Sequence, residues 1–314
     1  GRLCVEVGDV VGMLDLGKLS RRYIGEAVEG SGLLSGERLG EIYAGLSIGY
    51  DRVFDVERTF GSCGSGTEQF IDVAHVAVHG EGANQRVACA DYEGGRVLIF
   101  NVESGECVYS VGQSEGPGQL TRPRGVAFNG RGELFVSDSL HRIVVYDREG
   151  AYVREFGTRG SKPHGLAFTG EGELAVADYG NDRVQVLRED GTFVRSIGSR
   201  GTGEGLFIAP LDVCVCGDSR IAVADNRNDR VQVFEGGGGF LRSIGSFGDG
   251  PGQFENVFGV AFGTGGEILA TDSVRGGVQV FDGKGLFVQR IGRDGDSVMG
   301  LVKPRGVCTD GEGR

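Results

Sequence analysis

Four side chains in this sequence could gather a metal ion or act as acid and base: His75, His164, Asp212 and Asn256. Each stands at or just before the start of a short apolar run. A fold that set those runs around one axis would bring the four together, as a hydrolase or lyase metal site requires. The set is thin, with four histidines in 314 residues and His79 and His141 in turn-like sequence, so metal-dependent chemistry ranks last among the functions considered. A second set pairs Asp91, Asp138, Asp178 and Asp225 with Arg96, Arg142, Arg183 and Arg230, four or five residues on; Asp272 has Gly277 where its arginine would be. An active site needs one constellation, and this one recurs. An Asp that ends a strand accepts turn amides and an Arg can brace it, so a structural role is expected. Glycine-rich stretches such as 201–205 look like phosphate loops, but no helix or Lys-Ser/Thr follows them.

The third set is cationic. Arg122-Pro123-Arg124, Lys162-Pro163-His164 and Lys303-Pro304-Arg305 lead into apolar runs, whereas the equivalent tripeptides elsewhere are Ala209-Pro210-Leu211, Asn256-Val257-Phe258 and Asp72-Val73-Ala74. Gathered on one face, the first three would form a basic crescent on a chain whose net charge is −12. The candidate ligand-binding residues are therefore Arg122, Arg124, Lys162, His164, Lys303 and Arg305 on the basic side, with Leu211 and Phe258 on the apolar side.

The elements that must position these residues are legible between 123 and 157. Four short segments rich in β-branched and aromatic residues, bounded by Gly, Pro, Asn or Asp, predict four strands. Their turns are too short to cross a sheet, so neighbours pair antiparallel. The unit returns at 163–198, 210–245 and 257–292, and less cleanly at 73–112, with the anchor aspartates 40 to 47 residues apart. Four strands at such a period predict an all-β propeller. Zero Trp argues against the Trp-Asp repeat class. Seven cysteines make an odd count with no Cys-x-x-Cys pair, and Cys214, Cys308 and Cys89 replace small apolar residues of other units. That pattern suits buried thiols, a reducing compartment and a cytoplasmic location. No run approaches the ~20 apolar residues of a membrane span, so no membrane contact is expected.

The recurring Pro-x-Gly-Val-Ala, Glu-Leu-x-Val-x-Asp and Asn-Asp-Arg-Val-Gln-Val-Phe, with connectors such as 245–254, resemble the NHL repeat over residues 40–314. The resemblance implies a six-bladed propeller with four antiparallel strands per blade, monomeric, acting as a non-catalytic platform for a protein or peptide partner. NHL propellers of tripartite-motif proteins belong to ubiquitin ligases, so a substrate-recognition role is implied; RING and B-box patterns do not occur in these residues. Some NHL propellers bind RNA on a basic face, which makes RNA the alternative partner, although net acidity opposes it. No cofactor is implied.

Residues 1–39 do not repeat and are expected to stand apart as a linker or a fragment of another domain, with Gly8 to Leu16 resembling a strand pair of SPRY domains. Residues 40–44, 51–55 and 57–61 copy the second, third and fourth strands of the unit, while 303–309 copy the first. The expectation is a last blade closed by both termini, from 40–61 and 303–309, with 1–39 dispensable.

Overall fold

The structure, a computed structural model, describes residues 2–7, 10–15, 56–157, 161–292, 301 and 303–310, with side chains from residue 59 onward. Five four-stranded antiparallel blades follow one another along the chain. Their inner strands are Val73–His79, Pro123–Phe128, Pro163–Phe168, Pro210–Val215 and Val257–Phe262. Each blade runs outward in sequence order, because its three- to six-residue turns allow only a meander. Second and third strands are buried on both faces, as in Leu174–Asp178, which is why they read as continuous apolar runs. One face packs on the preceding blade and the other on the next: Leu174 and Val176 join a cluster with Ala127, Phe135 and Val145, whereas Ala175 and Ala177 join one with Val213 and Val223.

One further four-stranded sheet draws on both ends of the chain. Its order is Val307–Thr309, Arg2–Val7, Val10–Asp15 and Val56–Phe60. Val307–Thr309 contacts the inner strands of the fifth and first blades, so the inner strands follow one another round a ring. The expected regular six-bladed repeat is therefore corrected to five blades plus a terminal sheet. The expected closure is corrected too. Residues 40–44 and 51–55 lie outside the described residues, and the middle of the sheet is a hairpin from 2–15 that carries no repeat motif. The boundary expected at residue 39 thus does not separate that hairpin from the propeller. Of the expected strands, the inner one near 303–309 and the outer one near 57–61 are in place.

All five anchor aspartates are fully buried. Each accepts amides from the lead-in of its own inner strand: Ile71 and Asp72 on Asp91, Thr121 and Arg122 on Asp138, Lys162 on Asp178, Ile208 on Asp225, Glu255 on Asp272. The arginines complete the brace. Arg230 Nε donates to Asp225 at 2.9 Å while its Nη2 reaches the Gly203 and Leu206 carbonyls of the connector at 2.6 and 2.9 Å. In the fifth blade, where Gly277 replaces the arginine, Asp272 instead accepts the Val274 and Arg275 amides at 3.1 and 2.9 Å. Three connectors are held by a buried aromatic ring, Phe70, Phe207 or Phe254, and the one after the first blade by Leu120. Phe207 packs so tightly under Gly198 (φ +72°) that a Cβ there would collide with the ring.

Among the described residues Cys107, Cys214 and Cys216 are free thiols. Cys89 is wholly buried and burial pushes the Cys214 thiol well up, which suits packing better than nucleophilic chemistry. Among the described residues no helix is long and apolar enough to cross a membrane.

Two predictions follow from these contacts. Deleting residues 1–15 removes the middle of the terminal sheet and exposes strand edges, so thermal melting should drop and broaden; unchanged melting would remove the hairpin from the ring. Asp138→Ala, Asp178→Ala and Asp225→Ala should each cost about 1–3 kcal/mol in chemical denaturation by orphaning turn amides. A denaturation midpoint unmoved in all three would refute the bracing role.

Candidate functional site

The inner strands surround a narrow axis, and two layers of side chains close it. In the deeper layer four of the six aligned positions are glycine: Gly125, Gly165, Gly259 and Gly306. A Cβ on Gly125 would collide with the His164 carbonyl, on Gly165 with the Asp212 carboxylate and on Gly259 with the Arg305 carbonyl; on Gly306 it would lie 2.7 Å from His75 Cα. His75 and Asp212 hold the other two positions and meet across the axis, with His75 Nε2 3.1 Å from Asp212 Oδ1. The Val126 amide donates to His75 Nδ1 at 3.4 Å, which places the ring proton on Nε2, facing the carboxylate. Asp212 also accepts the Val213 amide at 2.8 Å and the Val260 amide at 2.9 Å. Both side chains are buried and bonded, as polar groups at such a position must be.

The layer above is built from the second residue of each blade's inner strand, Ala74, Arg124, His164, Leu211 and Phe258, together with Arg305, two residues before Val307–Thr309. Pairing in all five blades shifts register between the first residue and the third or fourth, a bulge that re-aims this position. The His164 and Phe258 rings lie 5.6 Å apart edge to face, although their blades are not neighbours, so both side chains reach over the axis. Arg305 lies over Phe258 at 5.8 Å and pairs with Asp72 at 2.7 Å. Arg124 and Arg122 both lie over Tyr92, at 5.4 Å each. His164 is 6% exposed, and its Nδ1 is buried with no hydrogen-bond partner. Burial, then the Arg124 charge, then His75, and more weakly Arg305, push its pKa down to about 3, against a hydrogen bond with the Leu211 backbone.

Five of the eight sequence-predicted residues therefore converge at the mouth: Arg124, His164, Leu211, Phe258 and Arg305. Arg122, Lys162 and Lys303 are exposed on the rim outside it, and Arg122 pairs with Glu93 at 3.3 Å. Two expectations are corrected. His164 adds no charge to the crescent, because its burial keeps the ring neutral. Arg305, expected only as a ligand-binding group, also bonds Asp72 and so ties the lead-in of the terminal sheet to the first blade. The candidate metal ligands do not assemble either: Asn256 Oδ1 accepts from Asn226 at 3.1 Å and Ser273 at 2.6 Å, while His75 and Asp212 hold each other. Sequence reasoning missed Tyr92, beside Arg124, and Tyr179, whose ring lies 6.4 Å from that of His164. Each directly follows an anchor aspartate, and in blade register that position lies opposite the residue before the inner strand's Pro or Val.

Comparison with known proteins agrees with this architecture. The NHL repeat family matches residues 161–187, the inner three strands of the third blade. The protein is a β-propeller, and its third blade is similar to the NHL repeat. No curated protein sequence matches it significantly. Among solved structures it is similar to a protein of unknown function from Bacteroides caccae, with a TM-score of 0.62 and 11% identity over 98% of this chain and 97% of that one. It is also similar to a catalytically inactive virginiamycin B lyase from Staphylococcus aureus with quinupristin (TM-score 0.58, 13% identity, 84% and 80% covered). The RRP9 WD40 repeats give 0.55 and 16%, over 69% and 63%. Identities this low are likenesses of fold alone.

The burial of His164 sets a pH dependence. Its folded pKa, about 3, lies below the ordinary 6.5, so the neutral ring supports the fold above pH 6.5 and that support is lost as pH falls from 6.5 toward 3. Leu211 shows that leucine fits this position in another blade. His164→Leu should therefore flatten the fall in melting temperature between pH 6.5 and 4 relative to wild type. Parallel pH profiles for the two proteins would mean the ring is not buried neutral.

Proposed function

We propose that the protein is a non-catalytic interaction platform that binds a protein or peptide partner at the channel mouth. The observation that carries this reading is the mouth's composition. A cationic side formed by Arg124 and Arg305 faces an apolar side formed by Leu211 and Phe258, around a buried imidazole nitrogen that nothing satisfies. A concave site with apolar walls and a few converging polar groups is how proteins hold a specific ligand. The groups a metal-dependent hydrolase or lyase would draw on are engaged with one another, and a lone imidazole does not hold a catalytic metal. The association of NHL propellers with ubiquitin ligases would make the bound partner a substrate awaiting transfer. A cytoplasmic setting agrees with the free thiols.

RNA on the basic rim is the competing reading, with Arg122, Arg124 and Tyr92 offering charge and a stacking surface. Its weakness is charge supply, since Arg122 and Arg305 already face Glu93 and Asp72.

Affinity capture with the full chain, before and after nuclease, separates the two. A nuclease-resistant partner should be lost in both Arg124→Glu and Phe258→Ala while melting stays within a few degrees of wild type. Its affinity should respond weakly to salt. An RNA contact would instead weaken log-linearly, by about 0.7 to 0.9 of a unit of slope per phosphate neutralised. Capture unaffected by either substitution would place the partner on another surface and overturn the reading.

A further inference from the structure

The mouth leads nowhere. Below it the His75–Asp212 bond spans the axis, and the glycine layer leaves no lateral room. A polymer cannot thread such a site, and a chain can enter it only by an end. The charges at the mouth are few. Arg124 lies over Tyr92 and faces no carboxylate partner among the described residues, while Arg305 already holds Asp72. That supply suits one anionic group and not a run of phosphates. In the blade next to Arg124 lies His164 Nδ1, buried and without a partner, a group that costs stability unless a ligand completes it. Ala74, between Arg305 and Arg124 in ring order, is the smallest of the six residues in this layer, and Leu211 and Phe258 are its large apolar ones.

One chemical group meets all of these conditions. Resting on the binding reading above, we infer that the mouth takes the C-terminal carboxylate of a peptide chain that ends in an apolar residue. The carboxylate would lie against the Arg124 guanidinium, with Arg305 adding charge from its place over Phe258. The last residue's amide N–H lies two bonds from that carboxylate, so the ligand carries a donor and an acceptor side by side and can complete His164 Nδ1 in either tautomer. Its side chain would pack on Leu211 and Phe258. An internal Asp or Glu fits less well, because the chain would have to double back at a dead end. A phosphodiester fits less well again, because its neighbours bring further negative charge toward an acidic protein.

The test uses two degenerate heptapeptide pools, one with free C-terminal carboxylates and one C-terminally amidated, passed over the immobilised full-length chain. Peptides from the free-acid pool should be retained, end in Leu, Ile, Val, Phe or Met, and lose about tenfold or more in affinity on amidation, as expected for a charge-assisted hydrogen bond. Arg124→Gln should cost a similar factor and His164→Leu a smaller one, with melting curves showing both variants folded. Equal retention of the amidated pool, still sensitive to Arg124→Gln and Phe258→Ala, would overturn the C-terminal inference and leave the binding reading standing. So would retained peptides that share an internal Asp or Glu and tolerate amidation. Retention of neither pool would overturn the inference, as would a degenerate RNA decamer that binds in its place. Peptide binding indifferent to Arg124 and Phe258 would overturn the binding reading itself.

Discussion

At four of the six positions where inner strands meet round the axis, a Cβ would meet a neighbouring strand. The strands approach so closely that backbone fills most of the channel, and the side chains still admitted must answer to one another. His75 and Asp212 do so across the full width of the ring. Neither could be introduced alone, because a buried carboxylate or imidazole without partners costs several times what a paired one does. The bulge in each inner strand belongs to the same constraint. It leaves the Gly125 and Gly259 amides without ladder partners, and Ser137 and Thr271 hydroxyls take them at 2.8 and 2.7 Å. Those hydroxyls then donate to the His164 and Arg305 carbonyls at 2.6 and 2.7 Å, joining the second blade to the third and the fifth to the terminal sheet.

The repeated anchors and the unrepeated mouth form one device. Each anchor carboxylate fixes the amides just before an inner strand, and two or three residues later comes the side chain that faces the mouth. The frame is therefore the same in all five blades while the displayed residue varies: Ala, Arg, His, Leu, Phe. Binding specificity can change at that position without disturbing the brace, because the brace acts through backbone amides and the display through a side chain. Arg305 is the exception. Its guanidinium both lines the mouth and holds Asp72, so here recognition and ring closure share a residue.

The repeat was legible because its signals are local. Strands buried on both faces are apolar throughout, turns carry Gly, Asn and Asp, and each Asp with its Arg lies within one hairpin. Even the departure at Gly277 could be read, since a missing arginine forces another way of holding the turn. The terminal sheet was not legible in the same way. Residues 40–61 resemble the repeat, but pairing with 303–309 is a contact between distant segments, and a hairpin of 2–15 that forms locally can take the place. The convergence of Arg124, His164, Leu211, Phe258 and Arg305 followed from register alone. The state of His164 did not, since it depends on how deeply the assembled propeller buries the side chain. The Asp72 partner of Arg305, 233 residues away, was equally hidden.

Electrostatics gives the neutral imidazole a particular value. A charged His164 would be a buried cation, at the cost of repulsion from Arg124 and, more weakly, from Arg305. Burial avoids that cost by keeping the ring neutral, and so converts a position that reads as basic into a directional hydrogen-bonding group. The outcome is a mouth with little net charge and strong directional demands. On a chain at −12, a cationic patch large enough to hold a polyanion would have to outweigh the field of the whole molecule. A single buried contact need not, because low local dielectric strengthens it while salt and distance weaken the surrounding charge. The same burial that removes charge from His164 therefore favours one specific anion over many weak ones.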